Sequence, residues 1–189
     1  MLSAREAVLA ISGAWRLAKL DPQGRYFFNA TVQGFWNSFW VAALVFPLHF
    51  LDMVLQWNEH AGDVDPTRFF SVGIIAYAMG WLAFPLAMFY ITGWIDKQHR
   101  FLRFVIASNW TALIVSVVLI PVQLSVSLEL VDGALLSFLL AAALVYAFTV
   151  GWFVARYTLN LGGLAAIGVV ALDWFMYFII QGFGATLIN

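Results

Sequence analysis

Residues 133–155 read GALLSFLLAAALVYAFTVGWFVA, without one charged side chain. A helix needs roughly 20 such residues to cross about 30 Å of hydrocarbon, and this stretch supplies them. Four further runs have the same character: Gly34 to about Trp57, Phe69 to Ile95, Phe104 to Ser125 and Leu161 to Ile188. Together they predict an all-α fold, a polytopic membrane helix bundle with five transmembrane helices and an N-terminal amphipathic interfacial helix. Residues 1–25 read as a cytoplasmic amphipathic segment and residues 26–189 as a single five-helix transmembrane domain.

Threading the runs in order puts Arg5, Arg16, Lys19, Arg25, Lys97, Arg100, Arg103 and Arg156 on one side of the membrane and only Arg68 on the other. By the positive-inside rule the N-terminus is expected to be cytoplasmic and the C-terminus outside, periplasmic if the membrane is a bacterial inner one. Glu59, Asp63, Asp65, Glu129 and Asp132 all fall in the two outer loops, although acids carry little topological weight.

With 63% hydrophobic and 10% charged residues among 189, little chain is left outside the bilayer for a soluble domain. Net charge is −1 and no basic block stands apart from the membrane flanks, so no nucleic-acid partner is expected. The absence of cysteine removes disulfides, thiolate nucleophiles and thiolate metal sites. The apolar stretch Ala7 to Trp15 is short, broken by Ser12 and followed by Arg16 and Lys19, so it reads as part of the working chain rather than as a secretory signal.

On a helical wheel Arg5, Ser12, Arg16 and Lys19 form a narrow stripe beside an apolar face of Ala4, Val8, Ile11 and Trp15. This pattern predicts an interfacial helix whose Arg5, Arg16 and Lys19 contact lipid headgroups. Asp21-Pro22-Gln23-Gly24 is expected to break it with a turn.

Lipid gives no hydrophobic reward for bringing helices together, so small residues and interhelical hydrogen bonds mark the contacts. Ala143, Ala147, Gly151 and Ala155 recur every fourth residue and are the expected packing face of the fourth span; Ala76, Gly80, Ala83 and Ala87 form a looser stripe on the second. Pro47, Pro85 and Pro121 each fall inside a run, where a missing N–H favours a kink. Trp36, Trp40, Trp57, Trp94 and Tyr157 fall near the expected interfaces as an aromatic belt.

Asp173 is the one acid deep inside a run, about 15 Å from the start of the fifth helix. An ionised carboxylate there is costly, so it should be protonated, paired or open to water. Asn37, Tyr90, Asn109 and Thr149 fall in the cytoplasmic half of their spans and, with Asp173, are the candidate substrate- or partner-binding residues, able to line a polar pocket opening inward. Binding site and structural glue remain alternative readings of this set. His49 and Asp52 stand three apart on one helical face near the outer surface, close enough to pair.

The loop from Asn58 to Asp65 has oxygen and imidazole ligands, but its spacing matches neither an EF-hand nor His-Glu-x-x-His, so no metal is expected. There is no nucleophile elbow and no phosphate loop, and only one of three histidines lies within a run. Lys19 and Lys97, the only lysines, lie at the surface, which excludes an intramembrane Schiff base. No cofactor and no catalytic residues are therefore expected.

Trp81-Leu82-Ala83-Phe84-Pro85, Ser108-Asn109-Trp110 and Arg156-Tyr157-Thr158-Leu159-Asn160-Leu161-Gly162-Gly163, set in five closely spaced spans over residues 26–189, resemble the Ypt-interacting protein (Yip) family and its bacterial relatives. Eukaryotic members are associated with small GTPases and vesicle traffic through a longer N-terminal region than residues 1–25 offer. The resemblance therefore implies the membrane bundle rather than GTPase binding.

These readings converge on a non-enzymatic integral membrane protein, an organiser or accessory subunit whose partners are membrane lipids and other membrane-protein subunits or itself. The alternative is a small transporter or ion-permeation protein using Asp173 and an inward polar layer. No inverted repeat supports it. An enzyme acting on lipid through His49 and Asp52 ranks last.

Overall fold

A computed structural model describes residues 2–60, 64–128 and 130–188. Seven α-helices are formed among them: α1 (Ala4–Ala18), α2 (Val32–Ser38), α3 (Trp40–His60), α4 (Pro66–Trp94), α5 (Phe101–Ser127), α6 (Gly133–Leu159) and α7 (Gly163–Ile188). There is no β-strand among the described residues. α2 and α3 continue into one span, Val32–Trp57, and with α4 to α7 they make five helices long and apolar enough to cross a membrane. The chain is a multi-pass membrane protein of the all-α class.

The helix starts are chemically marked. Ser3, Thr31 and Asp65 accept hydrogen bonds from the N–H groups of Glu6, Gly34 and Arg68, capping α1, α2 and α4. α6 ends at Asn160, whose φ of 56° is the left-handed conformation asparagine tolerates, and α7 starts within three residues. Asp21 and Pro22 break α1 as expected, into a 3₁₀ turn at Pro22–Tyr26. Pro47, Pro85 and Pro121 are all accommodated inside helices. Of the aromatic residues expected near the interfaces, Trp36, Trp40 and Trp94 are exposed, whereas Trp57 and Tyr157 are half-buried.

α5 is the hub. It packs against α1, α2, α3 and α6 and touches α4, while α7 lies against α4 and α6 and α3 meets α4. Phe101, Phe104, Val105, Ile106, Ala107 and Trp110 are consequently all buried, because this half of α5 has protein on every side.

The end of the bundle that carries α1 is here the near end and the opposite one the far end. At the near end α1 shows three faces rather than two. Val8, Ile11 and Trp15 are exposed and Arg5, Arg16 and Lys19 are also on the surface, but Ala10, Ala14, Leu17 and Ala18 are buried against protein. An interfacial helix lying only on lipid would have no such third face. Gly13 and Gly24 let the 3₁₀ turn fold back on α1: a β-carbon on Gly24 would lie 2.5 Å from the Gly13 carbonyl oxygen. Arg25 then reaches α6, donating to the Tyr157 carbonyl at 3.1 Å.

Candidate functional site

The expected site residues fall into three separate settings. Asn37 and Asn109 belong to a polar seam at the near end. The Glu6 carboxylate on α1 accepts from Asn37 Nδ2 at 2.8 Å and from Asn29 Nδ2 at 3.1 Å, and Gln33 donates to Asn37 Oδ1 at 3.0 Å. One residue on, Ser38 Oγ accepts from Asn109 Nδ2 at 2.9 Å and donates to the Phe35 carbonyl at 2.7 Å. The charge-assisted bonds to Glu6 tie α1 to α2, and the neutral Asn109–Ser38 bond ties α2 to α5, where apolar contact alone gives little direction. Glu6 was invisible to a search for acids inside apolar runs because it lies in the N-terminal segment.

Tyr90 and Thr149 lie elsewhere. Tyr90 is 57% exposed and packs edge-on against Phe89. Thr149 Oγ1 donates to the Val145 carbonyl of its own helix at 2.7 Å. The polar layer expected around Asp173 is thus dispersed over several faces.

Asp173 is partly buried on α7, one turn beyond Val169 and Val170 on the same face. It makes no hydrogen bond or ion pair with another described residue. Around it the α6–α7 contact is made by Gly151 with Val170, Trp152 Nε1 donating to the Gly163 carbonyl at 2.9 Å, and Phe148 edge-on to Trp174. The first two joints lie between Asp173 and the near end, and the third lies at the level of Asp173 itself. Farther out, Gly184 of α7 faces Val72 and Ala76 of α4 instead. Eight of the ten residues 133–142 of α6 are exposed, leaving a narrow stripe through Leu136, Leu139 and Ala143 to rest on the bundle.

The small-residue row of α6 lies on this protein-facing side, with Ala143 and Ala155 buried and Ala147 and Gly151 partly so. The looser stripe on α4 is less closely packed: Gly80 is exposed and has open space where a β-carbon would be. Of the basic residues assigned to headgroups, Arg5 is exposed, Arg16 pairs with Asp21 at 3.2 Å and sits over Phe27, and the Lys19 ammonium lies 4.5 Å from the Trp15 ring.

The third setting is a cavity of about 160 Å³ between α3, α4 and α5, lined by His49, Asp52, Tyr77, Ser116 and Gln123 among apolar neighbours. Asp52 is only 4% exposed, whereas its position near the end of an apolar run suggested the outer surface. Gln56 Nε2, one turn along, and Gln123 Nε2, on α5, both donate to its Oδ2, at 2.7 and 2.6 Å. The His49 ring stacks on Tyr77 at 4.6 Å, and the Tyr77 hydroxyl donates to the Ala42 carbonyl at 2.6 Å. Gln56 was within reach of sequence reading, as an i, i+4 partner of Asp52; Gln123, 71 residues away, was not.

Residues 61–63 and 129, and the side chains of residues 58–60, lie outside the described residues, and with them most of the loop weighed as a metal site. Among the described residues no three His, Cys, Asp or Glu side chains cluster as metal ligands. Comparison of the chain with protein-family models, with curated proteins and with solved structures finds no match.

Proposed function

We propose that this integral membrane protein is a non-enzymatic accessory subunit or organiser. Its far-end surface of α6 and α7 receives a transmembrane helix of a partner subunit, and that helix brings a basic or hydroxyl-bearing side chain to Asp173. The observation that carries this reading is the Asp173 carboxylate itself, held at mid-span without a hydrogen bond or ion pair to any described residue. Intramembrane acids are expensive to leave alone, and pairing with a group from another helix removes the cost. The surface farther out on α6 supports the same reading: its exposed face carries Ala134, Ser137 and Ala141, small residues that permit close backbone approach. A place among bacterial relatives of the Yip family, in an inner membrane, belongs to the same proposal.

Extraction in mild detergent followed by native mass spectrometry tests it. The expected particle exceeds the 21.1 kDa of one chain by a stoichiometric membrane polypeptide, and Asp173→Leu releases that polypeptide. Wild-type particles containing this chain alone would sink the proposal. A transporter that uses Asp173 predicts the reverse pattern, with assembly unchanged and solute flux lost in Asp173→Asn.

A further inference from the structure

We infer that the groove between α1, α5 and α6 is a site for one anionic phospholipid, with an acyl chain along α5 and its phosphate on the Lys19 ammonium. The inference rests on geometry independent of Asp173 and of any partner subunit.

The groove has a volume of about 390 Å³ and is walled by Trp15 and Lys19 on α1, Ile114, Val117 and Val118 on α5, and Tyr146 on α6. That volume is more than ten times the ~30 Å³ a water occupies in the liquid, which leaves room for a run of methylene groups. Ile114 and Tyr146 each lie about 20 Å from the near ends of their helices, so the walls are at hydrocarbon depth. Val117 is 63% exposed and Val118 42%, so the groove opens sideways to lipid. Its walls are mostly apolar, and an acyl chain fills such a space where water finds few hydrogen-bond partners. The Tyr146 hydroxyl, donating to the Ala18 carbonyl at 3.4 Å, holds α1 against α6 beside it.

The cation at its mouth separates this groove from ordinary lipid-facing surface. The Lys19 ammonium lies 4.5 Å from the Trp15 ring, and among the described residues no carboxylate pairs with it, since Asp21 is taken by Arg16. The ring stabilises the cation without cancelling its charge. A lysine at the edge of the hydrocarbon needs an anion, and lipid phosphate is the anion found at that level. A zwitterionic headgroup brings its own ammonium to compete for the phosphate, so the groove favours a lipid of net negative charge. The backbone gives a second sign. Leu20, next after Lys19, has a φ of 61°, a left-handed conformation that glycine adopts at lower cost. Its side chain is nonetheless 45% exposed, so an apolar group is held at this level without full cover from the protein, and acyl chains complete its burial. Of the three basic residues assigned to headgroups, only Lys19 both lines the groove and lacks a carboxylate partner.

The test uses the full chain, delipidated in detergent and titrated with phosphatidylglycerol or phosphatidylcholine of identical acyl chains, with bound lipid counted by native mass spectrometry. The expected result is one phosphatidylglycerol per chain, at a half-saturating concentration about fivefold below that of phosphatidylcholine. Lys19→Gln should remove this difference and Lys19→Arg should keep it, while Arg5→Gln, outside the groove, should leave it unchanged. All three positions are exposed, so the fold is retained. Val117→Trp, also at an exposed position, should fill the groove and weaken binding of both lipids. Glycerophosphoglycerol, the same headgroup without acyl chains, should not displace the bound lipid. Absence of a saturable one-to-one complex, equal affinity for the two lipids, equal losses in Lys19→Gln and Arg5→Gln, unchanged binding in Val117→Trp, or displacement by the acyl-free headgroup would overturn the assignment.

Discussion

At Gly24 a β-carbon would lie 2.5 Å from the Gly13 carbonyl oxygen and 2.9 Å from Leu17 Cγ, so the fold of the near end depends on one missing methyl group. Gly24→Val is expected to cost about 1–3 kcal/mol through overpacking, seen as a lowered melting temperature in detergent. Glu6 poses the complementary case, since its carboxylate is the acceptor for two asparagine amides. Glu6→Leu leaves the largely buried Asn37 short of a partner and should cost about 1–3 kcal/mol, while Glu6→Gln, which keeps an acceptor oxygen, should cost less. An equal effect of both substitutions would mean that the seam contributes nothing specific.

α1 is the element whose role changed most between pattern and packing. Its wheel shows an apolar and a basic face, and both are exposed as an interfacial helix requires. The face through Ala10, Ala14 and Leu17 is nonetheless closed off by protein, chiefly α5. Leu17→Ala should therefore open a cavity and cost about 2–5 kcal/mol, whereas Val8→Ala, on the exposed face of the same helix, should leave stability nearly unchanged and weaken only membrane contact. Matching melting temperatures for the two variants would show that α1 merely rests on the leaflet. α6 is the opposite kind of element: its outer half is free on most of its circumference, although its sequence is as apolar as that of the enclosed α5. Hydropathy is the same for lipid and protein surroundings, so it cannot tell the two helices apart.

For the whole molecule the testable quantity is orientation. Eight of the nine Lys and Arg residues lie in the N-terminal segment and near-end turns, and only Arg68 lies at the far end. This asymmetry predicts that the near end faces the cytoplasm. The chain contains no cysteine, so single cysteines can be introduced against a clean background. Gln98→Cys should be shielded from a membrane-impermeant maleimide added to intact cells, and Thr67→Cys should react. The opposite labelling pattern would invert the bundle.

The sequence by itself determined that the chain is a five-span membrane bundle, because span length and apolar composition answer directly to bilayer thickness and can be counted along the chain. The break at Asp21-Pro22 and the protein-facing row from Ala143 to Ala155 were legible for the same reason: each is local, set by backbone restriction or by four-residue spacing. What only the tertiary structure decided is which polar groups meet. Asn37 and Asn109 share a seam with Glu6 of α1, Asp52 takes an amide from Gln123 of α5, and Asp173 keeps none of the neighbours its depth suggested. Depth in a membrane follows from counting residues, but azimuth around each helix and the order of helices in the bundle depend on close packing between distant segments, and no periodicity within one segment encodes its partner.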